Sequence, residues 1–547
     1  MPLARVRKDI WTFPLSSAKL NLQLMEPFAK REQPIAVFMA FGTQGDVYPL
    51  AAIAAAFAAE MAHYSVFFIT HSAHQNLSIH LAKEHVTYLP ITSPPVLSFH
   101  EKDQDSEMVK TSISTWRKKA ITNDHRQQCV SAVERIFGLD EVLNGDFILI
   151  NFFALEGWSL AELFQVQCVV AAPYVVPYSA PASFESCFQN QFSHLYGYLI
   201  EAPINKICWK DIMHWMWPLF TENWGSWRSE ALNLSPIPFT DPVTGLPTWH
   251  ERAPSPTVMY GFNEDIVECP DYWPSNIRIS GFWFLPDEWQ FSCQKCYEAY
   301  GLHNFRNLKA QDHTCPSHVQ LHAFLNADVS VKPVFIGLSS IGRMGFLMNP
   351  RAFLLVLKEA ATMTGHRFIL FTASYEPLDA AILAITSEEP SSSNQTDYSE
   401  HGTDYSEHGR LLFGGQLFCF CGSIPYKWLF QQCAAAIHHG GSGSTAAALY
   451  AGITQVICPF MLDQFYWAER MFWLGVAPAP LKRRHLLPDD DDDVHIKEAA
   501  LMLSKSIYQS LSREVKARAL EISSKISIQD GVAEAVKILK KEVLNEP

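Results

Sequence analysis

The sequence predicts an α/β protein made of two parallel-sheet halves, and three observations predict it. An apolar run, Ile35–Phe41, leads through the glycine loop Gly42-Thr43-Gln44-Gly45 into an Ala-rich helical segment that reaches Met61. The same order of strand, glycine loop and helix returns at Ala434–His439, Gly440–Thr445 and Ser444–Tyr450. Around both units, short apolar runs alternate with segments of helical periodicity, the pattern of parallel strands joined by crossover helices.

Taken in order, residues 1–34 read as an N-terminal extension. Residues 35–290 form a first Rossmann-like domain with strands expected at Ile35–Phe41, Ser65–Thr70, Val86–Leu89 and Phe147–Phe153. Pro49 is placed at a first helical position, where its missing N–H costs nothing. Residues 291–330 read as an interdomain connection, within a junction at about 285–330 that carries Pro286 and Pro316. Residues 331–500 form the second Rossmann-like domain. Its expected strands are Pro333–Gly337, His366–Thr372, Leu417–Cys421, Ala434–His439 and Gln455–Phe460, with an amphipathic helix at Pro350–Thr364 and Gly452 capping the helix after the glycine loop. A polar insertion at 388–412 contains the heptapeptide TDYSEHG twice in tandem, Thr396–Gly402 and Thr403–Gly409, and is read as a surface loop. Residues 501–547 are a C-terminal helical segment.

The composition sets bounds on function. With 547 residues, 48% apolar and 18% charged, the chain is neither disordered nor a small disulfide scaffold. Its formal net charge of −14 argues against a general nucleic-acid binder, which gains affinity from excess Lys and Arg. The 12 cysteines are dispersed through apolar segments and no secretory signal precedes them, so reduced thiols and a cytoplasmic location are expected. No apolar run approaches the ~20 residues of a spanning helix.

The most informative segment runs from Ser423 to Leu481. A strand enters Gly440-Gly441-Ser442-Gly443-Ser444-Thr445 and a small-residue helix starts at once. Glycines admit a ligand close to the backbone, the first helical N–H groups point at it, and hydroxyls add donors, so the loop reads as an anion site. A glycine turn that merely packs a helix on a sheet is the competing reading. No Gly-x-x-x-x-Gly-Lys-Ser/Thr occurs, Gly441–Ala446 does not complete Gly-x-Gly-x-x-Gly, and no Gly-x-Ser-x-Gly elbow accompanies His439-Gly440-Gly441.

This segment resembles the donor-binding signature of the two-domain, GT-B fold UDP-glycosyltransferases, specifically the sterol 3-beta-glucosyltransferase branch. The resemblance rests on Trp428-Leu429-Phe430, Cys433-Ala434-Ala435, His438–Gly441, Asp463-Gln464, Trp467, Glu469-Arg470 and Pro478–Pro480. The N-terminal loop Phe41–Leu50 (FGTQGDVYPL) is similar to the same branch, as are Tyr260-Gly261-Phe262, Asp271-Tyr272-Trp273-Pro274 and Gly281-Phe282-Trp283-Phe284. Together these span roughly residues 35–540.

The resemblance implies two facing Rossmann-like domains with a cleft between them and an inverting transfer of a hexose, glucose first, from a UDP-sugar to a hydroxyl of a sterol-like lipid. It implies Asp46 as catalytic base, with Thr43, Gln44 and Gly45 beside it on the first loop. The diphosphate would sit on His439, Gly441, Ser442, Gly443, Ser444 and Thr445, with Ser340 from the facing strand-loop. Ser423 and Ile424 would take the uracil, and Asp463 and Gln464 the sugar hydroxyls. No metal or cofactor is implied, the UDP-sugar being a co-substrate. The expected partners are that UDP-sugar and a lipophilic acceptor, with peripheral membrane contact and no nucleic acid.

From the residues alone, Asp46 reads first as a helix cap and only second as a catalytic base. The sequence departs from the branch at Gln44, where Arg is usual, and at Ser339, where Gly is usual; Ala447 stands where plant enzymes of secondary metabolism carry a Glu that the sterol branch commonly lacks too. Two alternatives therefore stand beside the main reading: another lipophilic alcohol or phenol as acceptor, and a catalytically weak lipid- or nucleotide-binding protein. Asp489–Asp493 reads as a solvated charge run before a helix rather than a manganese site. Cys293, Cys296, His313 and Cys315 match no standard zinc spacing. The aromatic residues from Tyr178 to Phe220 read as core or as the wall of an acceptor groove.

Overall fold

The computed structural model of the chain describes residues 31–96, 107–138, 141–174, 180–220, 222–249, 253–290, 316–327, 331–388 and 409–544. Most of the N-terminal extension, the tandem heptapeptides, Tyr178 and the cysteines at 293, 296 and 315 with His313 lie outside the described residues.

Seven strands form the first sheet: β1 (Ile35–Met39), β2 (Ser65–His71), β3 (Val86–Ile91), β4 (Phe147–Ile150), β5 (Gln167–Ala172), β6 (Val258–Tyr260) and β7 (Ile277–Ile279). All pair in parallel, in the order β3-β2-β1-β4-β5-β6-β7. Side chains alternate between faces with the period of two that a strand dictates. Val37, Met39, Ile148 and Ile150 join one core, while Ala36, Phe38, Phe147 and Leu149 join another beneath helix α1 (Gln44–Glu60). Most of the expected aromatic run belongs to the first core: Phe188, Tyr198, Trp215 and Phe220 are buried in it, with Phe184, Phe192, Tyr196 and Trp209 packed against it.

The second sheet has the order β10-β11-β9-β8-β12-β13. Its strands are β8 (Val334–Gly337), β9 (Phe368–Phe371), β10 (Arg410–Leu412), β11 (Leu417–Phe420), β12 (Ala435–His438) and β13 (Thr454–Ile457). Only the edge strand β10, drawn from residues that the sequence assigned to the inserted loop, runs antiparallel. Helix α2 (Pro350–Thr364) begins where its pattern requires, with the Asn349 side chain accepting from the Ala352 N–H at 3.0 Å and Pro350 in the first turn. Helix α3 (Ser442–Ala451) opens directly from the glycine loop, and helix α4 (Gln464–Trp473) follows β13.

One expectation is corrected. Helix α1 starts at Gln44, so Pro49 lies inside it and not at its first position. The cause is a capping box at Thr43 and Asp46, which begins the helix before the proline is reached.

Three C-terminal helices complete the fold. Helix α5 (Asp493–Ser510) starts inside the aspartate run, where Asp492 caps it through Val494 N–H (2.8 Å), Asp489 pairs with Arg483 (2.6 Å) and Asp490 with His495 (2.8 Å). These carboxylates face solvent at a helix N-terminus, where negative charge is favoured. Helix α6 (Arg513–Ile526) lies along α3, with Ser523 Oγ donating to the Tyr450 carbonyl at 2.7 Å. Helix α7 (Gly531–Leu544) crosses back to the first sheet and buries Ala535, Val536 and Leu539 in the core under α1. Lys540 pairs with Glu60 (3.0 Å), and Gln529 accepts from Asn263 Nδ2 (2.7 Å). A second link runs from α4, where Arg470 reaches the Ile266 carbonyl and Glu268.

The crossing fits only because residue 531 is glycine: a Cβ there would press on the Phe282 carbonyl and lie 2.6 Å from Gly281 backbone atoms. Gly531→Ala is therefore expected to cost at least about 2 kcal/mol, in the range of overpacking against immovable backbone. Thermal denaturation checks it, and a variant as stable as the native protein would contradict the packing.

Candidate functional site

In an open parallel sheet the crevice lies at the carboxyl ends of the strands, where the strand order reverses. The first sheet reverses between β1 and β4, and the second between β8 and β12. The loops at those two places carry most of the site residues that the sequence singled out.

After β1 the chain turns through Gly42, whose φ of +104° a side chain would strain, and whose Cβ would lie 2.6 Å from Asp46 Oδ2. The Asp46 carboxylate tucks under this glycine and accepts from the Thr43 N–H (2.7 Å) and the Thr43 hydroxyl (2.8 Å). It is thus a helix cap, as the residues alone allowed. It also lies in the cleft: burial pushes its pKa up to about 6, with the two Thr43 bonds opposing. Gln44 and Gly45 are exposed beside it.

Two residues that the sequence did not single out hold this loop. The buried Asn151, after β4, donates to the Phe41 carbonyl (2.8 Å) and the Asp46 carbonyl (3.3 Å) and accepts from the Phe41 N–H (3.2 Å). Its signal was one polar residue in the apolar run Phe147–Phe153. His74 Nε2 lies 3.0 Å from the Gly42 carbonyl, and burial lowers its pKa, which favours the neutral ring as donor.

Across the cleft, β12 delivers the His438-His439 pair, and the two rings have different tasks. His438 is fully buried; its Nδ1 accepts from the Gly440 N–H (3.0 Å) and its Nε2 faces Gln455 Oε1 (2.9 Å), which fixes the tautomer and the loop. His439 lies over Gly441, where a Cβ would sit 2.5 Å from its Nε2. Burial lowers its pKa to about 4, so the ring is neutral near pH 7. Gly440, at φ +87°, leaves room for the Gln464 carbonyl, 3.0 Å from where a Cβ would be.

Helix α3 then begins, with Thr445 N–H making the first helical bond to the Gly441 carbonyl (3.0 Å). The preceding amides, Ser442, Gly443 and Ser444, carry the positive end of the helix. Within this turn the Thr445 hydroxyl is fully buried and has no partner among the described residues. An orphaned donor of this kind at a helix N-terminus fits an anionic oxygen.

Ser340 lies in the turn after β8, whose Gly337 pairs with His438 of β12, so its loop adjoins the glycine loop. Ser423 and Ile424 follow β11, three strand spacings from β12, or about 14 Å across the sheet. Ile424 is buried, whereas the exposed Ser423 donates its hydroxyl to the Gln290 carbonyl (2.7 Å). Gln464 is only partly free: its side-chain oxygen accepts from the Phe460 and Met461 N–H groups (2.9 and 3.2 Å), which leaves its NH₂ to point elsewhere.

Asp463 accepts from Trp467 Nε1 at 3.1 Å. Burial, with the Asp46 charge adding to it, raises its pKa to about 7. The two domains therefore bring two carboxylates together across the cleft. Tyr174, which also escaped the sequence reading, lies near both. Among the described residues no group of three or more His, Cys, Asp or Glu side chains is arranged to hold a metal ion, and no helix is long and apolar enough to cross a membrane.

Two facing Rossmann-like domains, each built on a largely parallel sheet flanked by helices, define the GT-B class of fold. Solved glycosyltransferases share it: the calicheamicin glycosyltransferase CalG4 superposes with a TM-score of 0.51 at 13% identity, covering 94% of this chain and 99% of that one. Residues 419–528, which include the glycine loop, match the family described as erythromycin biosynthesis protein CIII-like, C-terminal domain. Sterol 3-beta-glucosyltransferase UGT80B1 of Arabidopsis thaliana is 40% identical over 112 residues, 20% of this chain. UDP-sugar-dependent glycosyltransferase 52 of Dictyostelium discoideum is 23% identical over 522 residues, 92% of this chain. The aligned stretches span 16% and 26% of those two relatives.

The Asp46 geometry yields a pH-dependent expectation. A carboxyl raised to about 6 in the folded state, against 3.8 ordinarily, disfavours folding where it is ionised and not where it is protonated. Asp46→Asn keeps an acceptor for Thr43 and removes the charge. It should be more stable than the native protein at pH 8, by up to about 3 kcal/mol, with the difference vanishing as pH falls toward 4. Denaturant titrations at both pH values measure this; equal stability at pH 8 would refute the burial of a charge at this position.

Proposed function

We propose that the protein is an inverting glycosyltransferase that moves a hexose, glucose first, from a UDP-sugar to a hydroxyl of a sterol-like lipid. The observation that carries the proposal is the pairing of Asp46, a carboxylate titrating near neutrality, with the helix α3 anion site on the opposite wall of one cleft. The similarity over 92% of this chain to a UDP-sugar-dependent enzyme and the short, stronger similarity to a sterol glucosyltransferase support donor and acceptor respectively.

In this reading the diphosphate lies on the Ser442, Gly443 and Ser444 amides, the Thr445 hydroxyl, His439 and Ser340. The uracil reaches the Ser423–Ile424 backbone, a distance of about 14 Å that suits a nucleoside diphosphate laid across the sheet. Asp463 and the Gln464 NH₂ take sugar hydroxyls. Asp46 accepts the proton of the acceptor hydroxyl as its oxygen forms the bond to the anomeric carbon. The bond from that carbon to the diphosphate oxygen breaks on the far side, and its electron pair leaves with UDP. The new charge is met by the helix N-terminus and neutral donors already in place, which requires no resident metal in the proposed mechanism. Asp46 must be ionised to act, so activity falls as pH drops through about 6.

Incubation with labelled UDP-glucose and a total lipid extract tests the proposal. Labelled lipid should form and should drop at least about a hundredfold with Asp46→Asn, the lower range for losing a general base. UDP binding without transfer to any lipid would instead indicate a binding protein that kept the fold.

A bilayer as the source of the acceptor belongs to the same proposal. Ile200, Ile204, Val243, Leu246 and Trp249 are exposed on the first domain, on segments joined by the Tyr198–Trp249 ring contact at 4.6 Å. Flotation with sterol-containing vesicles should carry the native protein upward and should fail for Ile204→Asp/Val243→Asp; equal flotation of both would place the contact elsewhere.

A further inference from the structure

We infer that Tyr174 is a substrate-contacting residue of the cleft, whose phenol donates a hydrogen bond to the attacking hydroxyl of the acceptor; this rests on the glycosyl-transfer reading above.

The placement comes from the strand order. Asp46, Phe152-Phe153 and Tyr174 follow β1, β4 and β5, three adjacent strands of one parallel sheet, so their loops line one stretch of the cleft about 10 Å long. Tyr174 is 7% exposed, and its ring meets Phe152 and Phe153 at centroid distances of 6.4 and 6.3 Å. Phe153 is itself 45% exposed, which makes this the apolar edge of the opening. The Tyr174 hydroxyl has no hydrogen-bond partner among the described residues. A buried phenol normally finds a partner, and leaving one unmade costs on the order of 1–3 kcal/mol. Burial, with Asp46 and Asp463 adding to it, pushes its pKa far up, so the group is a permanent donor and never a base.

A donor fixed on the acceptor side, beside the proposed base and facing the carboxylate of the other domain, suits one substrate atom best. The acceptor oxygen gives its proton to Asp46 and keeps lone pairs: one attacks the anomeric carbon, the other accepts from Tyr174. The phenol thus orients the nucleophile and gains no proton. The flanking phenylalanines supply an apolar wall for the carbon skeleton that bears the hydroxyl, which suits a bulky lipophilic alcohol.

Tyr174→Phe separates this role from packing. If the ring only fills space, removing an orphaned hydroxyl leaves transfer unchanged and stability equal or higher. If the phenol holds the acceptor, kcat/KM for the acceptor falls at least tenfold, while the KM for UDP-glucose stays within twofold and the melting temperature does not drop. Transfer by Tyr174→Phe at the native rate overturns the inference and leaves the glycosyl-transfer reading intact. A parallel loss of UDP-glucose affinity also overturns it, since the contact would then be with the donor. Absence of transfer by the native protein itself sinks both.

Discussion

The site exists because helix α7 crosses back. A cleft between two sheets is only as well defined as the angle between them, and in this chain that angle is set by a helix that leaves the second domain and packs under α1 of the first. The contact at Gly531 is backbone against backbone, so it offers no side chain that relaxes. Apolar burial of Ala535, Val536 and Leu539 holds the helix down, while the Asn263–Gln529 bond and the Arg470 contacts fix the approach. The same arrangement is supported by Trp467, Ala468 and Met471 of α4, which share a core with residues of the first domain, and it leaves the reversal points of both sheets facing each other.

Within that frame Asp46 serves two masters. Its carboxylate begins helix α1 by accepting two bonds from Thr43, and those bonds draw its pKa down. Burial draws it up more strongly, to about 6. A carboxylate with only the first environment would be too weak a base, and one with only the second would have no fixed direction. The histidines differ in a similar way: His438 has both ring nitrogens engaged, with the Gly440 N–H and with Gln455, whereas in the proposed reaction His439 is the one that meets the diphosphate.

Much of this was legible in the sequence. The two halves, their glycine loops and most strands follow from period and punctuation, and the helix after the second glycine loop was placed within two residues of its start. Pro49 misled because a proline at a helix start is a statistical preference, whereas the Thr43–Asp46 pair is a specific bond that wins locally. Asn151, His74 and Tyr174 were out of reach for a different reason. Each acts on residues far away in the chain, through adjacency of strands that no local pattern encodes. A single polar residue within an apolar strand end, as at Asn151, is the sort of mark that such residues leave.

Pro49 also has a mechanical meaning. Without its N–H, the Gly45 carbonyl receives no bond from the next turn, so the ladder of α1 is interrupted after its opening turn. That opening turn is tied instead to the sheet, through Asn151 and, by way of Gly42, through His74. The body of the helix is tied to α7. The opening turn that bears Asp46 is thus anchored to the first sheet, whereas the helix body packs on α7. The interruption separates two anchorages within one helix: the carboxylate's turn is held by its own sheet, and the rest of the helix by a segment that arrives from the far end of the chain.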